Sequence, residues 1–82
     1  MTKEQVIVEA LASAPGQAAG MKDLTLRVNR IMVREGEREL TTHTIQDLLQ
    51  EMRVQAKPLV DVSNIEKGIW KLTRDGKNAA KK

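Results

Sequence analysis

Pro58 divides this chain. Beyond it lie two short β-branched and aromatic runs, Leu59-Val60-Asp61-Val62 and Ile69-Trp70-Lys71-Leu72-Thr73, separated by the polar stretch Ser63 to Gly68. Pro58 biases Lys57 away from the helical region, so a helix arriving from the N-terminal side must stop by about Ala56. The two runs are expected to pair as a hairpin. Val60 and Val62 then share one face, as do Trp70 and Leu72, and one pair from each strand closes a core. Trp70 is the chain's only aromatic residue, so it reads as a core anchor rather than as part of a base-stacking platform.

Before Pro58 the apolar residues keep helical time. Thr2-Lys3-Glu4-Gln5 has the spacing of a capping box, and Val6, Ile7, Ala10, Leu11 and Ala14 follow on one face. Pro15-Gly16 ends that helix, and Gln17 to Gly20 is a small-residue connector able to add a short strand to the hairpin sheet. A second helix is expected from about Met21 or Lys22 to Arg34, with Leu24, Val28 and Ile31 inward and Gly36 ending it. The charged turn Glu35-Gly36-Glu37-Arg38-Glu39 is longer than the three or four residues of the simplest helix-turn-helix proteins. The third helix starts at the N-cap Thr41, with Leu40 packing on Ile45 as a hydrophobic staple, and buries Ile45, Leu48, Leu49 and Met52.

Eighty-two residues make one domain, since halving them leaves too little apolar surface to bury in each part. With 40% apolar residues and a single aromatic, stability belongs at the low end of roughly 5–15 kcal/mol. The absence of cysteine removes disulfides and thiolate chemistry and fits a reducing cytoplasm. The longest apolar run, Val6-Ile7-Val8, is far too short for a membrane span or a signal peptide. A net charge of +3 favours polyanionic partners, although several of the excess lysines fall in the final stretch at Lys77, Lys81 and Lys82.

The chain offers little for catalysis. It has one His, no Cys, no Tyr and no Gly-rich phosphate loop. His43 and Asp47 stand one helical turn apart, but two ligands do not make a zinc site. The expectation is a non-enzymatic protein with no cofactor and no metal. Duplex recognition is expected on the third helix, where Thr42, His43, Thr44, Gln46, Gln50 and Arg53 lie outside the buried face and Gln suits a bidentate contact with adenine. Asp47 and Glu51 against Arg53 leave that helix slightly acidic. Phosphate contacts must then come from elsewhere: Arg27, Arg30 and Arg34, which form one stripe on the second helix, and Asn64, Lys67, Lys71 and Arg74 on and after the hairpin. The Arg stripe reads equally as a solvated flank paired with neighbouring Glu residues.

The segment Gly68-Ile69-Trp70-Lys71-Leu72-Thr73-Arg74-Asp75-Gly76-Lys77 resembles the wing and tail of the winged-helix module at the N-terminus of Mrr-type restriction proteins. It is also similar to winged-helix regulators in which a hydrophobic strand ends in Leu-Thr with Gly after two more residues. The resemblance implies a mostly helical α+β winged helix-turn-helix, with three helices plus a C-terminal β-hairpin wing, over residues 1–76, followed by a basic tail, 77–82. It implies that the last strand packs on the first helix, that Thr73 caps a following turn or helix, and that Gly76 lies in that turn. It further implies double-stranded DNA as the partner, met by the third helix in the major groove and by the wing near the backbone or minor groove. The third helix departs from such modules in lacking a Leu-x-x-x-Gly ending, and no nuclease domain accompanies the motif here. A small cytoplasmic or nucleoid-associated transcriptional regulator or architectural factor is the leading expectation. The rival is a protein-interaction module that docks through the acidic third helix or the sheet edge. A homodimer would have to use the first helix or that edge.

Overall fold

In the computed structural model, which describes residues 2–80, helix α1 (Lys3–Ser13) begins with the capping box expected from the sequence. Thr2 Oγ1 accepts from the Gln5 amide at 3.1 Å, and Gln5 Oε1 accepts from the Thr2 amide at 3.0 Å. Val6, Ile7, Ala10 and Leu11 are buried as expected. Val8 is buried too, because it faces Leu59 and Ala80 on a side of α1 that the sequence pattern leaves open.

After a single 3-10 turn, strand β1 (Ala18–Gly20) runs directly into α2 (Met21–Arg34), which buries Leu24, Val28, Ile31 and Met32. Helix α3 (Thr42–Arg53) starts at the N-cap Thr41, whose Oγ1 accepts from the Thr44 amide at 3.1 Å. Leu40 is half-buried against the core that contains Ile45, in keeping with the staple. The connection between α2 and α3 is closed twice. Gly36 N donates to Val33 O at 3.0 Å and Glu37 N to Met32 O at 2.8 Å, which satisfies carbonyls at the end of α2. Further along, the Asn29 side chain grips one residue from both sides: its Nδ2 donates to Leu40 O at 2.9 Å and its Oδ1 accepts from Leu40 N at 2.6 Å.

Strands β2 (Val60–Asn64) and β3 (Ile69–Leu72) form the expected antiparallel hairpin, and β1 pairs antiparallel with the other edge of β3, giving the order β1-β3-β2. Val60 sits opposite Leu72, while Val62 and Ala19 flank Trp70 from the two sides. Val60, Trp70 and Leu72 are buried and complete the core. The first strand begins at Val60 and continues to Asn64 through a bulge, so the loop is shorter than Ser63 to Gly68. Leu59 precedes the strand, and its carbonyl accepts from Thr73 N, the residue opposite it in the register, at 3.0 Å.

The domain is α+β and mostly helical, with four helices among the described residues rather than three. The fourth, α4 (Arg74–Ala80), occupies most of the expected basic tail, and it packs on α1. The ordered fold therefore runs past residue 76 to Ala80, while Lys81 and Lys82 lie outside the described residues. Thr73 starts α4: its Oγ1 accepts from Gly76 N at 3.1 Å and donates to Pro58 O at 2.5 Å. Gly76 is buried against the Leu59 carbonyl, where a Cβ has no room. No helix among the described residues is long and apolar enough to cross a membrane.

Two substitutions test these joints. Gly76→Ala drives a methyl group into the Leu59 backbone and is expected to cost about 3 kcal/mol, read as a lower urea midpoint at unchanged m-value. Asn29→Ala strips both polar partners from Leu40 and is expected to cost about 1–3 kcal/mol in the same assay.

Candidate nucleic-acid interface

Helix α3 has two chemically different flanks on either side of its buried row Ile45, Leu49 and Met52. Gln46 and Gln50, one turn apart, lie on the flank toward the hairpin; Asp47 and Glu51 are each one residue further, about 100° round the helix. The acidic character read from the sequence thus falls on a different side from the amides. His43 Nε2 lies 3.4 Å from Asp47 Oδ2, and both side chains are mainly in solvent. Thr42 Oγ1 is 3.2 Å from Thr25 Oγ1, joining the start of α3 to α2. Thr44 is turned back to the cap, where its Oγ1 accepts from Thr41 Oγ1 at 2.9 Å.

Between α3 and the hairpin runs a groove of about 390 Å³. One wall is Gln46, Gln50 and Arg53, the other Val62, Ile65 and Gly68, with Trp70 at its base and Met21 from the start of α2. Arg53 Nε bonds to Asp61 Oδ1 at 3.2 Å, tying the end of α3 to β2 and offsetting much of its charge. Val54, which follows α3, also lines the groove and is 81% exposed. At the hairpin tip Asn64 Oδ1 accepts from Lys67 N at 3.1 Å, so the Asn64 side chain is spent on the turn. Gly68, at φ 65°, takes the left-handed conformation that brings the chain back into β3. Lys67 and Lys22 line a neighbouring depression of about 500 Å³ at the start of α2.

The remaining candidates are placed elsewhere. Arg27 Nε bonds to Asp23 Oδ2 at 3.0 Å and its Nη1 donates to Ser13 O at 3.4 Å, while Arg34 Nη2 bonds to Glu9 Oε1 at 3.2 Å. With Arg30 they border a shallow depression of about 260 Å³ against α1. Thr25 and Asn29, on the opposite flank of α2, are the residues that meet Thr42 and Leu40. The Arg stripe is therefore on the side of α2 away from α3, and two of its three members are ion-paired. Lys71 alternates with Trp70 on β3, so it projects from the sheet face opposite the groove. Arg74 begins α4, at the end of β3 remote from the hairpin tip.

Of the residues expected from sequence, the groove gathers Gln46, Gln50 and Arg53, with Lys67 beside it. Sequence reasoning passed over Met21, Lys22, Val54 and Ile65. The signal for two of them was a large apolar residue in each of two polar stretches, Val54 before the Pro58 break and Ile65 within the hairpin loop. No group of three or more His, Cys, Asp or Glu side chains able to hold a metal ion occurs among the described residues. No family model, curated protein or solved structure matches the chain.

The ion pairs at Arg34 and Arg53 are about half-exposed, so replacing either Arg with Ala is expected to cost less than about 1 kcal/mol in urea unfolding. A greater loss at Arg53 would assign its side chain a packing role against β2.

Proposed function

We propose that the chain is a winged-helix domain that binds double-stranded DNA and catalyses no reaction, acting as a small transcriptional regulator or architectural factor. In this reading α3 enters the major groove, the β2–β3 hairpin is the wing, and the strand between the two grooves of DNA passes along the groove of the protein. The observation that carries it is the exposed pair Gln46 and Gln50, on the flank of α3 that faces the hairpin and apart from Asp47 and Glu51. Two amides one turn apart supply the paired donors and acceptors that read adenine. Lys22 and Lys67 provide positive charge on the same side, and Met21 and Val62 offer apolar surface to deoxyribose. A cytoplasmic, nucleoid-associated location accompanies this reading.

A second reading has its own support. Val54 and Ile65 are 81% and 79% exposed at the margins of the groove, and solvent-facing apolar residues of that size also suit a protein partner. Charge reversal of Asp47 and Glu51 separates the two: it should tighten binding to DNA and weaken binding to a basic protein.

The test is titration of a labelled duplex, followed by anisotropy at several salt concentrations. Micromolar binding that weakens steeply with salt is expected. Lys22→Ala and Lys67→Ala should each lower the salt slope by about one, whereas the Arg27, Arg30 and Arg34 triple Ala variant should leave it nearly unchanged. Gln46→Ala and Gln50→Ala should each relax sequence preference by about 1–3 kcal/mol at the base that the amide reads. Absence of binding at low salt would overturn the proposal.

A further inference from the structure

The hairpin tip has a property that phosphate binding does not use. Ile65 is 79% exposed at the first position of the four-residue loop, and it is the large apolar side chain of that loop. Its neighbours Glu66 and Lys67 carry opposite charges and are both exposed, so the tip has no net charge and Lys67 is its one cation. The loop is nevertheless tightly built: the Asn64 side chain accepts from Lys67 N, Gly68 N donates to Ile65 O at 3.3 Å, and Gly68 makes the left-handed return. Ile65 is itself β-branched and limited at χ1. The tip therefore holds one stiff apolar group in solvent, on a backbone already fixed.

Resting on the duplex-binding reading, we propose that Ile65 is a wedge that enters between two base pairs from the minor-groove side and bends the DNA held by α3. An apolar group gains nothing from the phosphate rails; the most extensive apolar surface of a duplex is inside its stack. Apolar side chains inserted from the minor groove partly unstack a base step and kink the helix toward the major groove. The partner is thus a duplex with a weakly stacked pyrimidine–purine step, TA or CA/TG, one backbone strand away from the bases that α3 meets. Lys67, within the tip, and Lys22, beside it, hold the flanking phosphates while the step opens.

The experiment measures resonance energy transfer between dyes at the two ends of a duplex carrying the selected site, at saturating protein. The wild-type protein is expected to shorten the end-to-end distance by an amount corresponding to a bend of about 20–90°. Ile65→Ala is expected to keep binding, confirmed by anisotropy, and to lose most of the distance change; Ile65→Val, still apolar and β-branched, is expected to keep most of it. Because Ile65 is exposed, all three proteins should share one melting curve. Equal bending by wild type and Ile65→Ala, or binding without bending by wild type, overturns the wedge and leaves the DNA reading intact. Failure of the wild-type protein to bind any duplex overturns both and assigns the Val54 and Ile65 surface to a protein.

Discussion

The placement of α3 depends on one side-chain amide. Asn29 uses its donor and its acceptor on the two backbone groups of Leu40, and thereby fixes the residue immediately before the Thr41 cap. Since Leu40 also packs on the core, the start of α3 is held in position along α2 and in depth. The Thr25 and Thr42 hydroxyls add a second tie one turn nearer the start of α2. The groove inherits its shape from this arrangement, because Met21 is contributed by α2 while Gln46 and Gln50 are contributed by α3. The charged turn at 35–39 is free to be polar and exposed because the fold does not rely on it for orientation.

A second joint, at the other end of the hairpin, settles how such a small chain completes a core with one aromatic residue. Thr73 bonds to both Pro58 and Leu59 and also starts α4, so the end of β3, the approach to β2 and the last helix meet at one residue. Gly76 allows α4 to lie directly on the Leu59 backbone. This brings Ala80 against α1 and covers Val8. The gain is close packing without bulk, which a chain poor in Phe, Tyr and Trp needs.

How far the sequence revealed this differs by element. Helices α1, α2 and α3 and the hairpin were legible because their caps, breakers and apolar spacing are local signals, and the Trp70, Leu72 and Val60 assignments followed from strand alternation. Helix α4 was foreshadowed only by the resemblance, which implied a turn or helix capped by Thr73, since Arg74-Asp75-Gly76-Lys77-Asn78-Ala79-Ala80 has no apolar period and packs through a missing side chain. The Arg27, Arg30 and Arg34 stripe was read correctly as a stripe, but its direction depends on which flank of α2 receives α1, a tertiary fact. For the same reason the sequence could name Gln46 and Gln50 as outward-facing without showing that their flank, and not that of Asp47 and Glu51, faces the hairpin, or bringing Met21 and Ile65 to the same groove.

Trp70 is 6% exposed, yet it forms the base of the groove between α3 and the hairpin. The chain has no Tyr and no Phe, so its near-ultraviolet absorption and intrinsic emission belong to this one indole. Any occupant of the groove changes the polarity above the ring, and any loosening of the hairpin admits water to it. The molecule carries its own chromophore where α3, the sheet and the groove meet, and a spectral change therefore has a structural address without the addition of a dye.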